Sequence, residues 1–465
     1  MFRKILIANR GEIAVRIIRT CAEMGIRSAA IYADADRYAL HVKKADEAYP
    51  LGADPLAGYL NVHRIVSLAK QTGCDAVHPG YGFLAENPSL AEACRNAGIT
   101  FIGPTCNVIR RMGDKTEARL AMIKAGVPVT PGSEGNLGNV DEALAMAEQI
   151  GYPVMLKATS GGGGRGIRRC DNPQELQRNY ERVISEATKA FGSADVFLEK
   201  CVVNPRHIEV QILGDQHGSV VHLFERNQKL IEIAPSPQLT EAQRQHVCSL
   251  AVTAARAVGY TNAGTVEFLL DDDGRFYFME MNTRIQVEHT ITETITGVDL
   301  IEEQIRIAAG LPLRYAQGDI GKRGFAMQLR VNAEDPQNSF LPSFGRISRY
   351  YAPGGPGTRT DTAIYTGYTV PPYYDSMLVK VIVWALTWED VVNRGQRALT
   401  DMGVYGIKTT IPYYLEILNS PDFRRGRFNT GFVEAHPELV DYSIKPRKEE
   451  IAAALAAAVV AHAGL

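Results

Sequence analysis

The apolar run Ile5-Leu-Ile-Ala is too short for a helix and apolar on both faces. A helical stretch follows from Glu12 to Met24, then a second apolar run from Ser28 to Tyr32. This order of strand, helix and strand predicts a βαβ unit, and hence a parallel, doubly wound sheet, for the part from Ile5 to about Asp114. Further along, Tyr152-Pro-Val-Met-Leu reads as a short buried strand that delivers Lys157 at its end. Two β-rich runs, Thr265 to Leu270 and Phe276 to Met281, flank the turn Asp271-Asp-Asp-Gly274, which is a hairpin signal. An α/β segment extends from Arg323 to about Ser443. The alanine-rich end, Lys448 to Leu465, is helical by propensity.

Composition narrows the class. A chain of 465 residues needs two to four packed units, because single cores seldom grow beyond about 250–300 residues. Fifty basic residues against fifty-two acidic ones leave a formal charge of −2, so no electrostatic case for nucleic acid exists and any anion site must be local. The seven cysteines are scattered, odd in number and without C-x-x-C spacing, which argues against a disulfide framework or a zinc site and for a reducing cytoplasm. No apolar run approaches the roughly 18 residues that span a bilayer, and the start is too short for a signal peptide.

Two constellations carry chemistry. The first is Thr159-Ser160-Gly161-Gly162-Gly163-Gly164-Arg165-Gly166, two residues after Lys157. Four consecutive glycines stabilise neither helix nor strand, but they let backbone N–H groups approach an anion closely. The spacing is not that of the common P-loop, and no G-x-G-x-x-G follows the first strand, so an NAD site is not indicated. The second constellation is the predicted hairpin, which would set Glu267 opposite Glu280 among aromatic and aliphatic neighbours. Opposed buried carboxylates repel unless a cation lies between them, and Mg²⁺ suits oxygen ligands combined with nucleotide phosphates. Asn282 adds an oxygen two residues on, on the same strand face.

Together with Lys4-Ile-Leu-Ile-Ala-Asn-Arg-Gly-Glu-Ile-Ala, His78-Pro-Gly-Tyr-Gly-Phe-Leu-Ala-Glu-Asn, Met112-Gly-Asp-Lys115, Glu280-Met-Asn-Thr-Arg-Ile-Gln-Val-Glu-His289, Arg330-Val-Asn-Ala-Glu-Asp-Pro336 and Gly367-Tyr-Thr-Val-Pro-Pro-Tyr-Tyr-Asp-Ser376, these segments resemble the ATP-grasp enzymes, specifically the biotin carboxylases. The segment Gln228 to Pro237 and the alanine-rich end are most similar to the biotin carboxylase subunit of two-subunit pyruvate carboxylases. The resemblance implies an α/β fold in segments: a preATP-grasp domain (1–114), an ATP-grasp domain (115–322) with a mobile lid over about 129–202, a biotin carboxylase C-terminal domain (323–446) and a terminal helix (447–465).

Roles follow from the same resemblance. Lys115, Lys157, Gly163 and Gly164 would meet the ATP phosphates. Glu199, Lys200 and Val202 would face adenine, and His207 the ribose or phosphates, with Asn227 and Leu269 also in the nucleotide site. Glu267, Glu280 and Asn282 would hold Mg²⁺ or Mn²⁺. Lys229, Arg284, Gln286, Val287 and Glu288 would hold bicarbonate, with Glu288 as general base, and Arg330 would stabilise the enolate-like form of biotin. The biotinyl-lysine motif Ala-Met-Lys-Met is absent. The resemblance therefore implies a partner subunit carrying biotin and carboxyltransferase, and a homodimer or larger oligomer.

The sequence also departs from the family. After Phe224-Glu225-Arg226, about seven residues resembling Asp-Cys-Ser-x-Gln-Arg-Arg are missing before Asn227. Asn227 itself stands where many relatives have histidine, and Phe344 stands where many have proline. An odd loss within a strand switches side chains to the opposite face. Either the hairpin is shortened and Lys229 displaced, leaving an impaired or regulatory subunit, or this sequence lacks a stretch that the natural chain has.

Overall fold

The computed structural model describes residues 1–133, 135–159, 166–191, 195–227, 231–443 and 448–463. Gly163, Gly164 and Lys229 lie outside the described residues. In the N-terminal part, strands β1 (Lys4–Ile7), β2 (Arg27–Ala33), β3 (Glu47–Gly52), β4 (Ala76–His78) and β5 (Thr100–Phe101) form one parallel sheet in the order β3-β2-β1-β4-β5, as the βαβ pattern predicts. Ile5, Leu6 and Ile7 are completely buried, because a parallel strand is covered on both faces. The helix Gly11–Glu23 enters directly after β1, with Gly11 at φ +67 making the turn.

A second, antiparallel sheet contains β6 (Val154–Ala158), β7 (Ile167–Cys170) and β8 (Val196–Lys200) in the order β7-β6-β8. With the helices Val140–Ile150 and Pro173–Phe191 it has a core of its own, centred on Val154, Leu156, Leu176 and Leu198. The strand predicted to deliver Lys157 is β6.

The third sheet holds the site. It contains β9 (Arg206–Gly214), β10 (Val220–Asn227), β11 (Ile231–Ala234), β12 (Asn262–Leu270), β13 (Phe276–Asn282) and β14 (Phe325–Asn332), with the strands Met377–Ala385 and Thr358–Thr362 beyond β14. The order is β13-β12-β9-β10-β11-β14 followed by those two, and every neighbouring pair is antiparallel. One sheet thus passes through residues on both sides of 323. A mixed core in which Ile13 and Ile17 meet Leu213, Leu223, Ile285 and Ile305 fixes the N-terminal sheet against it. Each such fully buried aliphatic side chain contributes about 1.5–3 kcal/mol.

The position where the sequence suggests a departure from the family, between Arg226 and Asn227, is the end of β10. The register against β9 shifts between His222 and Glu225, and Phe224 stands at φ +63, a conformation unusual for a bulky residue. A one-residue bulge changes the face that later side chains occupy. Asn227 pairs opposite Ile233, and the sheet is continuous from β10 through β11 to β14. Lys448–Ala463 is helical, with Leu455, Val459 and Val460 exposed. Among the described residues, no helix is long and apolar enough to cross a membrane.

His41, His78 and His289 are completely buried in the fold. Burial pushes His41 down to about 4 and both His78 and His289 down to about 3. His289 keeps its neutral ring in place through Nδ1, 2.8 Å from the Gln286 carbonyl. Their folded values lie below the unfolded one, near 6.5. Above that pH the neutral form is shared by both states, and below it the unfolded chain gains protons that the folded chain refuses. Stability should therefore fall as pH drops from about 6.5 toward 4, by roughly 1 kcal/mol per pH unit for each histidine. Thermal unfolding at pH 7.5 and 5.0 measures this, and equal midpoints would contradict it.

Candidate active site

The hairpin β12–β13 forms as the turn signal predicts, and Glu267 pairs in register with Glu280. Glu267 is buried and held by His207 (Nε2 to Oε2, 2.6 Å), by the Asn282 amide (2.5 Å) and by the Gln286 amide (3.0 Å). Burial opposes its charge, but His207, Arg284 and Gln286 hold its carboxyl below the ordinary value. Glu280 differs, because burial and then the charge of Glu267 push its carboxyl up, with Lys115 opposing. The pair is short of positive charge. Two carboxylates and an amide oxygen, Asn282 Oδ1, are a donor set for a hard cation that also keeps phosphate or water ligands. Among the described residues, no group of three or more His, Cys, Asp or Glu side chains suits a metal, so a softer ion with an all-protein shell has no candidate there. Asn282 Oδ1 accepts a hydrogen bond from Arg284 at 3.0 Å.

Lys115 begins the helix Lys115–Lys124, whose first turn is capped by Asp114. Burial lowers the pKa of Lys115, with Lys157 adding to the effect and Glu280 and Glu199 opposing it. Lys157 on β6 meets Glu199 on β8 at 2.5 Å, and Arg119 reaches the other oxygen of Glu199 at 3.3 Å. Two lysines and two carboxylates thus gather beside the hairpin. Lys200 donates instead to the carbonyls of Gly151 and Tyr152, both at 2.9 Å, so its ammonium serves the local backbone. Val202 follows β8 and is half-buried. Leu269 is paired with His207 across β12 and β9, and Asn227 ends β10 opposite Ile208.

On the other side of β13, Arg284 binds Glu86 through Nε (2.9 Å). Gln286 accepts from Arg226 at 2.6 Å and is buried, while Glu288 stands just before the helix His289–Thr296. Arg330 on β14 reaches Glu288 at 3.0 Å. Arg284, Val287 and Arg330 line one cavity of about 550 Å³, closed by Asn9 to Ile13, Tyr81 to Phe83 and Tyr373 to Asp375. Residues of several separate sequence motifs therefore converge on one space. Gln286 and Glu288 flank its Val287 wall without being among the lining residues.

Sequence reasoning missed two sets of residues here. Arg226 is completely buried, donating to Glu209, Gln211, Thr265, Gln286 and Thr292 at the floor of the site. Lys380 is completely buried and ion-paired to Glu12 at 2.9 Å, and it donates to the Val287 carbonyl at 3.2 Å. Tyr81 also donates to Glu12. The signal for Lys380 was legible: a lone lysine in Met377-Leu-Val-Lys-Val-Ile-Val, since unpaired buried lysines are very rare. Lys380→Met leaves Glu12 buried without its countercharge and should cost about 3–5 kcal/mol in denaturant unfolding. Adding Glu12→Gln should recover a large part, and a double variant no more stable than the single one would contradict the pairing.

Paired carboxylates on β12 and β13, the ammonium groups of Lys115 and Lys157 near them and a cavity walled by Arg284 and Arg330 fit a nucleotide-dependent ligase of ATP-grasp type. The comparisons identify the family. Residues 1–109 match the model for the biotin carboxylase N-terminal domain, residues 114–316 that for the carbamoyl-phosphate synthase L chain ATP binding domain, and residues 328–435 that for the biotin carboxylase C-terminal domain. The chain is 54% identical to the 2-oxoglutarate carboxylase small subunit of Hydrogenobacter thermophilus, over all of both chains. That alignment of 472 positions exceeds the 465 residues here by seven. Identity to a pyruvate carboxylase subunit of Methanothermobacter thermautotrophicus is 50%, covering 96% of this chain and 92% of that one. The biotin carboxylase domain dimer of Hydrogenobacter thermophilus 2-oxoglutarate carboxylase, solved with MgADP, ADP and bicarbonate, superposes with a TM-score of 0.93 at 55% identity, covering 96% of this chain and 100% of that one. The chain belongs to the biotin carboxylase family of ATP-dependent ligases.

Proposed function

We propose that this chain catalyses the ATP- and bicarbonate-dependent carboxylation of biotin on a carrier subunit, as the first half-reaction of pyruvate carboxylase. The observation that carries the reaction is the cavity where Arg284, Val287 and Arg330 meet, with Glu288 bound to Arg330 and with Arg284 bound to Asn282 at the end of the Glu267–Glu280 hairpin. The match with the pyruvate carboxylase subunit of Methanothermobacter thermautotrophicus supports pyruvate as acceptor. The full-length match to a 2-oxoglutarate carboxylase small subunit favours 2-oxoglutarate as the second reading. The relative solved as a dimer supports a homodimer. No observation favours an impaired or regulatory subunit.

In this reading Arg284 positions bicarbonate, a small planar anion that suits a guanidinium fork, and Glu288 takes its proton. The bicarbonate oxygen attacks the γ-phosphorus of ATP, giving carboxyphosphate and ADP. Lys115 and Lys157 offset the charge on the phosphates. Bound Mg²⁺ or Mn²⁺, held by Glu267, Glu280 and Asn282, would supply further charge neutralisation to the phosphoryl oxygens. Carboxyphosphate then breaks its C–O(P) bond to release CO₂ and phosphate in the closed pocket. The phosphate takes the proton from N1 of biotin, and that nitrogen bonds to CO₂ while Arg330 holds the negative ureido oxygen. His207, through its bond to Glu267, would keep the metal-binding carboxylate in place. Seven free, buried cysteines suit the cytoplasm.

The test is ATP hydrolysis by the purified chain with Mg²⁺, bicarbonate and free biotin, each omitted in turn. Turnover that needs bicarbonate and yields carboxybiotin is expected, and turnover indifferent to both would sink the proposal. Adding the biotinylated partner that co-purifies, with pyruvate or 2-oxoglutarate, identifies the acceptor.

A further inference from the structure

Arg330 makes a second ion pair, which neither the sequence motifs nor the reaction scheme uses. The same nitrogen, Nη2, that contacts Glu288 at 3.0 Å lies 2.5 Å from Glu232 Oε1 on β11. Glu232 has no exposed side-chain surface. Its other oxygen accepts from the Gln328 amide at 3.2 Å, and Thr290 donates to the Gln328 oxygen at 2.5 Å, which fixes which way that amide points. A buried carboxylate, held by Gln328 of β14, whose amide is in turn fixed by Thr290 of the helix after Glu288, thus meets the guanidinium of the cavity wall.

Resting on the function proposed above, we propose that Glu232 is a positioning residue: by competing with Glu288 for Arg330, it keeps the general base from being neutralised by that arginine. A carboxylate fully paired with a guanidinium is a poor proton acceptor, and sharing the cation between two carboxylates leaves Glu288 more basic. The charged and titratable groups that face the pair are Arg330 on β14, Tyr414 on the helix Ile411–Asn419, Arg284 after β13 and Glu209 on β9. Burial, opposed by Arg330 and reinforced by the charge of Glu288, pushes the Glu232 carboxyl up to about 7. The ionised form of Glu232, the form that competes for Arg330, is therefore gained as pH rises through neutrality.

The experiment compares the full chain with Glu232→Gln and Glu232→Asp, measuring bicarbonate-dependent ATP turnover and carboxylation of free biotin from pH 5.5 to 9. It also follows the carboxyl stretch of the ligand-free protein by infrared titration. The unsubstituted chain should lose activity on the acid side of neutrality. In Glu232→Gln that limb should move at least one pH unit lower, with a plateau reduced about tenfold or more, an unchanged KM for ATP, and loss of the carboxyl band that titrates near neutral pH. Glu232→Asp keeps the charge and should keep the limb. A lower rate and melting point with the limb and band unmoved would show a merely structural role and overturn the proposal. Should the unsubstituted chain fail to carboxylate biotin at all, the proposed function falls, and the infrared titration still decides whether Glu232 titrates as described.

Discussion

Glu280→Gln is expected to reduce ATP turnover by about two orders of magnitude or more at saturating Mg²⁺ while the protein remains folded. Loss of a metal's charge stabilisation at a transferring phosphoryl group is worth several kcal/mol, and each 1.4 kcal/mol is about tenfold in rate. Stability should not fall, because the substitution removes one member of a repelling pair: Glu280 is pushed up by burial and by Glu267. Glu267 is the poorer choice for this test. It anchors His207, Asn282 and Gln286, and replacing it would disturb three side chains at once. The assay is steady-state ATP hydrolysis with bicarbonate over a Mg²⁺ series, alongside a thermal melt. Wild-type-like turnover would remove the pair from the mechanism.

The hairpin behind this prediction was legible because its information is local. Asp271-Asp-Asp-Gly274 sets a turn between two β-rich runs, and the turn sets the register that brings Glu267 opposite Glu280. The first parallel strands were legible for a similar reason, since consecutive elements are neighbours in space. What the pattern could not yield was partnership across distance. Alternation tells which face a residue occupies, not which strand lies alongside, so the pairing of Ile231–Ala234 with Phe325–Asn332 had no signal. That pairing is what brings Glu232 to Arg330. The Glu12–Lys380 bond likewise joins the first helix to a strand near the other end of the chain, and only the oddity of a lysine in an apolar run pointed to it. The shortened segment at Arg226 was visible as a count of residues. The bulge in β10 between His222 and Glu225, and the burial of Arg226 beyond it at the floor of the site, had no such signal.

Arg330→Ala should separate the two half-steps of the chemistry. Removing a preorganised donor to a developing oxyanion costs about 10²–10³ in rate, so carboxylation of free biotin should fall by that factor. The groups assigned to ATP, namely Lys115, Lys157, Glu199, Glu267 and Glu280, form a separate cluster around the hairpin, whereas Arg330 is tied to Glu232 and Glu288. Bicarbonate-dependent ATP hydrolysis should therefore fall much less, by about tenfold at most. Some loss is expected even there, because Arg330 is the cation shared by those two carboxylates, and its removal leaves both buried with a proton to take up between them. Raising the pH should restore part of the ATP hydrolysis by re-ionising that pair, and it should not restore biotin carboxylation, which lacks the guanidinium itself. Initial rates of ADP release and of carboxybiotin formation on the same preparation give the ratio directly. Equal loss of both activities at every pH would place Arg330 in the phosphoryl-transfer step and undo the division of labour between the two walls of the cavity.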